Sequence, residues 1–167
     1  MNHFIFLLPL FLLAQSCSSQ PLNMKEITQN GMTVAWKLED DRLHINLFAP
    51  TDGWVAIGLN TTAELTGTNL IMGCIVAGQV TLSDRYIVAP GNHRSITDLG
   101  GTSVARVLSG TETKAGTRLE FTLPLKAADQ WHHDLPAGKK IHLLMAFSRE
   151  DDFAHHSMMR TSVEISL

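Results

Sequence analysis

Two apolar runs of strand length, Trp54 to Leu59 and Leu70 to Val76, constrain this chain most. The first reads Trp-Val-Ala-Ile-Gly-Leu between Asp52-Gly53 and Asn60-Thr61-Thr62. The second is opened by Gly67-Thr68-Asn69. Both are too short for helices of a globular core, are rich in strand formers and are punctuated by turn residues, so they read as strands. The polar connection between them, ending Leu65-Thr66-Gly67-Thr68, sits where a ligand can sit. A chain built round such a pair needs further strands to cover it.

The flanking sequence supplies them. Arg42 to Phe48 alternates, with Leu43, Ile45 and Leu47 against His44 and Asn46, and Thr117 to Leu123 repeats the pattern with Leu119, Phe121 and Leu123. A period of two marks a half-buried antiparallel strand. Met32 to Leu38, Gln79 to Val88, Ser103 to Leu108, Lys139 to Phe147 and Arg160 to Leu167 complete about nine strands. Ala77-Gly78 is the tight turn of a hairpin, Gly110 to Gly116 a polar turn, and His93 to Gly101 irregular. The connection from Leu125 to Gly138 has room for one helical turn. The spacing predicts an all-β, antiparallel, immunoglobulin-like β-sandwich.

The amino terminus differs in kind. Phe4 to Ala14 is apolar apart from Pro9, which is the length of a signal-peptide core and short of the roughly 20 residues that span a membrane. Leu12-Leu-Ala-Gln-Ser-Cys17 resembles a bacterial lipoprotein box, which would place a lipid on Cys17. Residues 1–16 are therefore read as a signal peptide, 17–30 as a lipidated tether and 31–167 as the domain. The expected location is extracytoplasmic, either lipid-anchored to a bacterial membrane, the outer one favoured, or periplasmic or secreted. Membrane association is then through the lipid alone. With Cys17 lipidated, Cys74 has no disulfide partner and reads as a small buried hydrophobe.

Charged residues make up 17% of the 167 and apolar residues 44%, a balance that supports a real core. A formal net charge of −3 leaves no basic footprint for nucleic acid. No nucleophile elbow, phosphate loop or zincin motif occurs, so no enzymatic activity is expected. Asp84 and Arg85 read as a structural ion pair, and His44, His93 and His142 as exposed positions. The pairs His132-His133 and His155-His156 are adjacent residues, a poor spacing for a dedicated metal site.

Gly53 to Leu59, the loop ending Thr66-Gly67-Thr68-Asn69, the strand after it, Val80 to Tyr86, and His155-His156 with Arg160 before the last strand together resemble the DOMON domain. That is a β-sandwich of extracytoplasmic haem-binding cytochrome modules and of sugar-binding modules. The resemblance covers Gly31 to Leu167. It implies a b-type haem held by a methionine and a histidine, and hence electron transfer to a redox partner protein. The histidine falls on His156, with His155 adjacent. If the chain there is extended, only one of the two faces the pocket. The methionine position falls on Leu65, which cannot ligate iron. Met72, seven residues on, is the substitute, against its plain reading as a core methionine. A covalent c-type haem is disfavoured, since no Cys-x-x-Cys-His occurs. The alternative function is a carbohydrate or small-molecule binding module without haem, for which Trp131 is the best stacking residue. Trp36 and Trp54 are expected in the core.

Overall fold

The computed structural model describes residues 24–167. The leader, the lipoprotein box and Cys17 lie outside the described residues. The fold is a sandwich of two antiparallel sheets, as the alternating strands require. One sheet has five strands in the order β1 (Lys25–Gln29), β2 (Met32–Glu39), β3 (Arg42–Ala49), β9 (Gly116–Pro124), β8 (Arg106–Thr113). The other has six, in the order β11 (Met159–Ser166), β10 (Lys140–Phe147), β4 (Val55–Asn60), β5 (Asn69–Val76), β6 (Gln79–Ala89), β7 (Asn92–Ser95).

Eleven strands stand where about nine were expected. The segment from Met24 to Gly31 forms β1, paired with β2 from Lys25↔Trp36 to Gln29↔Met32. The segment from His93 to Gly101 holds β7 and a short 3₁₀ turn, Thr97–Leu99. Strand β8 runs on through Gly110 to Thr113, so the polar turn shrinks to Lys114-Ala115. No helical turn forms between Leu125 and Gly138; the segment is a looped connection.

The inner faces meet in one apolar core. Leu43, Ile45 and Leu47 of β3 and Leu119, Phe121 and Leu123 of β9 lie opposite Val55, Ile57 and Leu59 of β4 and Leu143 and Met145 of β10. A hollow between the sheets holds only about 10 Å3. Phe121 is among the largest fully buried side chains, paired between Ile45 and Val107. Phe121→Ala is expected to cost about 3–5 kcal/mol, measured by urea denaturation. A loss under about 1 kcal/mol would show that the sheets close over the gap.

The six-stranded sheet is apolar on its outer face as well. Every residue of β4 is buried, and so is every residue of β5 but Val76. Antiparallel sheets usually leave one face to water. Here Trp54, Ala56, Leu70, Met72, Cys74, Ile87, Leu144 and Ala146 form a second cluster on the outer side, separate from the inter-sheet core, with Leu65 and Phe153 packed on it. Trp54 thus belongs to the outer cluster, whereas Trp36 packs between the sheets.

Candidate functional site

Strand register builds the floor of the outer-face pocket. Ala146, Ala56, Met72 and Ser83 lie side by side across β10, β4, β5 and β6, and Leu144, Gly58, Leu70 and Arg85 form the next row. Directly paired residues share a face, so the small side chains at Ala56, Gly58 and Ala146 leave a hollow around Met72. Gly58 is required there. A Cβ on it would come within 2.5 Å of the Thr68 side chain and 3.0 Å of Leu144.

Three connections wall the floor. The first, between β4 and β5, carries Leu65. Asn60 ties this loop internally: its Nδ2 donates to Glu64 O at 2.7 Å, and its Oδ1 accepts from Thr61 N at 2.7 Å. Gly67 N donates to Ile87 O and Ile87 N to Thr68 O, fastening the loop to β6. The second wall is the β6–β7 turn with Gly91, Asn92 and His93. The third is the segment between β10 and β11, pinned at its base by Trp54 N donating to Glu150 O and Met158 N to Phe147 O. It supplies Ala154, His155, His156 and Ser157, and Arg160 follows on β11.

Met72, His155, His156 and Leu65 therefore line one pocket, although more than 80 residues separate the methionine from the histidines. Both histidines line it. The chain there is turned, not extended: His155 N bonds Asp152 O and Ala154 N bonds Asp152 Oδ1. Met72 is buried, on the outer face and away from the inter-sheet core. Leu65 stands beside it as a partition. Next to it lies a hollow of about 290 Å3, lined by Asn60, Thr62, Glu64, His142 and Ser162 among others, which shares Leu65, Leu144 and Arg160 with the Met72 pocket.

The electrostatics set the chemistry. Arg160 is exposed and, among the described residues, its guanidinium makes no hydrogen bond or ion pair, so its charge is available to an anionic group. The indole N–H of Trp54 is buried without a partner, a donor left unmet at a cost of about 1–3 kcal/mol. His93 is half-buried, a pocket residue rather than an exposed one, and its Nδ1 accepts from Arg85 Nε at 2.7 Å. Burial, and then the Arg85 charge, push His93 below the usual histidine range. Burial likewise raises the Cys74 thiol above its usual value, as befits a packed, unreactive cysteine.

Other sequence candidates fall outside this pocket. Trp131 is half-buried with its ring edge-on to Tyr86 at 5.1 Å, so it offers no open platform, and no observation here favours a sugar site on it. His132 sits between two carboxylates, with Nδ1 2.7 Å from Asp129 and Nε2 3.2 Å from Asp84. The expected Asp84–Arg85 pair is thus replaced by Asp84–His132, since neighbours on a strand point to opposite faces. His44 and His142 are half-buried, not exposed. Among the described residues no cluster of three histidine, cysteine or acidic side chains could hold a metal ion.

The donor set nevertheless suits a haem: a thioether, two imidazoles, apolar walls and a free guanidinium. The apolar pocket itself holds about 100 Å3, below the 300 Å3 or more of a typical small-molecule site. The adjoining hollow of about 290 Å3 shares the Leu65 wall with it.

The DOMON domain family model matches residues 28–148. The chain belongs to the DOMON domain family. DOMON domains are extracellular modules, and among the described residues no helix is long and apolar enough to cross a membrane. A human protein named putative DBH-like monooxygenase protein 2 is 27% identical over 116 residues, covering 68% of this chain and 22% of that protein. This chain thus spans about a fifth of that relative's length. Among solved structures, the cytochrome b domain of pyranose dehydrogenase from Coprinopsis cinerea superposes with a TM-score of 0.64 at 13% identity, covering 86% of this chain and 81% of that one. The cytochrome domain of Myriococcum thermophilum cellobiose dehydrogenase gives 0.58 at 14%, with the same coverage. At these identities the likeness is one of fold.

Proposed function

We propose that this DOMON domain is a haem-binding electron-transfer module that works outside the cytoplasm and turns over no substrate of its own. The observation that carries the reading is the convergence of Met72 and the His155-His156 pair on one apolar pocket of the outer sheet face. His156 is the first iron ligand of this reading. His155 Nδ1 stands 3.5 Å from Asp152 Oδ2, whereas among the described residues His156 is uncommitted. Met72 is the second ligand, in place of the leucine at position 65. Trp54, Leu70, Ile87 and Leu144 would supply apolar walls to the group, and Arg160 would offer its charge to an anionic substituent. A b-type haem held by these residues would supply one-electron transfer. Its redox partner is another protein, in the manner implied by cytochrome neighbours that belong to dehydrogenases.

The test is an absorption spectrum of the mature domain produced with haem supplied, oxidised and then reduced. The expected result is a saturable Soret band at one haem per chain, with a reducible low-spin pattern. His156→Ala should lose that pattern while His155→Ala keeps it. A folded protein that takes up no haem, or a His156→Ala spectrum identical to wild type, would overturn the assignment.

A further inference from the structure

A second cluster of titratable groups lies behind the pocket rim. Asp84 of β6 has a fully buried side chain. It accepts from Asn69 Nδ2 at 2.7 Å and Val104 N at 3.0 Å, and His132 Nε2 is 3.2 Å away. The other ring nitrogen of His132 is 2.7 Å from Asp129, which also accepts from Thr102 N at 2.9 Å and Trp131 N at 3.0 Å. The next residue, His133, has Nε2 2.8 Å from the carbonyl of Gly67. Gly67 belongs to the rim loop that carries Leu65. Two hydrogen-bonded links, Asp84–His132–Asp129 and His133–Gly67, are thus joined by the peptide bond between the two histidines, connecting the sheet to the rim loop.

We propose that His132 and His133 form a proton-dependent latch that fixes the rim loop 61–68, and with it the Leu65 partition between the two hollows. What the latch would control rests on the outer face being the ligand site; the latch itself does not. Two carboxylates facing one imidazole can both be satisfied only if both ring nitrogens carry protons. Burial alone would push His132 down, but its bonds and charge contacts with Asp84 and Asp129 outweigh burial and lift it above the usual histidine range. Around it, β6 contributes Asp84, β5 the neutral Asn69 and β9 only Leu123 and Pro124, while the loop itself contributes Asp129, Lys126 and His133. Arg42, from β3, is turned to the Val104 carbonyl at 3.3 Å.

When His132 loses its proton, one N–H remains for two acceptors. The buried Asp84 has the stronger need of it, so the Asp129 contact becomes a lone pair against a carboxylate. The segment from Asp129 to His133 loosens, and the donor that holds Gly67 O goes with it. Histidine at position 133, one residue further on, cannot keep its register on Gly67 unless His132 is seated.

Hydrogen exchange of the full chain, without added haem, reads the latch directly. His132 is followed by imidazole NMR, and amide protection of Gly67 and Thr68 is measured on both sides of its titration, corrected for chemical exchange rates. Protection should fall about fivefold to tenfold as His132 deprotonates, the worth of one hydrogen bond. His133→Ala should keep the His132 titration but show the low protection on both sides, with no step. His132→Gln should likewise show no step; if it does not fold, His133→Ala alone decides. Rim protection that ignores the His132 titration, or a step that survives in His133→Ala, overturns the proposal. Because no haem enters the measurement, its failure is separate from failure of the haem reading.

Discussion

Replacing His132 by alanine is expected to destabilise the domain by about 3–5 kcal/mol, the cost of leaving one partner of a buried charge pair alone. The Asp84 side chain is 0% exposed, so it cannot turn to water when its counter-charge goes. Asn69 and Val104 N would remain as donors, but neither carries charge. The loss should depend on pH in a defined direction. His132 is lifted in the folded state, so its contribution is complete below the unfolded value of about 6.5 and declines as pH rises through the folded value. Asp129 is lowered, backbone donors and the His132 contacts outweighing its burial, so its contribution is complete above the usual aspartate range and lost on acidification through its folded value. Wild-type stability should therefore fall on the alkaline side, and the His132→Ala curve should be flatter there. Urea denaturation across the pH range measures both. A loss below about 1 kcal/mol would mean the pair behaves like a solvent-screened surface contact.

The strands that carry a period of two were legible in the sequence, because alternation is itself the imprint of one buried face. Leu43, Ile45 and Leu47, and likewise Leu119, Phe121 and Leu123, lie in the inter-sheet core. Two of the four edge strands, β1 and β7, left no such imprint. In Lys25-Glu-Ile-Thr-Gln only Ile27 packs on the core, and the strand exists through its pairing with β2. The pocket was half legible. The continuous apolar runs of β4 and β5 announced buried strands, but a run without alternation cannot say that one sheet is covered on both faces. That ambiguity concealed both the outer position of Trp54 and the face on which Met72 lies. The histidine loop is turned where an extended chain was expected, residues in a turn need not alternate, and His155 and His156 both line the pocket. Asp84 and His132 stand 48 positions apart, and no local pattern links them. Only the packing of the segment around Asp129 against β6 brings them together.

Met72→Leu is the substitution with the largest expected effect on the proposed haem site and the smallest on the fold. Leucine fills nearly the same volume as methionine, and such exchanges in cores usually cost under about 1.5 kcal/mol. The residues paired beside Met72 are small, Ala56 and then Ala146 on one side and Ser83 on the other. Any change in a haem spectrum is then a change in chemistry: the thioether is gone and the cavity is not. With His156 and Met72 as the two ligands, the variant should lose its low-spin pattern, retain haem more weakly and show a lower reduction potential, since methionine ligation raises it. Paired urea and redox titrations of wild type and variant separate packing from ligation. A low-spin spectrum unchanged in Met72→Leu would assign Met72 to packing alone. The second donor would then be sought along the His93 wall, where the imidazole accepts a hydrogen bond from Arg85 through Nδ1 and so carries its proton on Nε2. Ligation through that nitrogen would require the tautomer to switch and the Arg85 contact to be given up, so a His93→Ala change on the Met72→Leu background should then remove the remaining low-spin pattern.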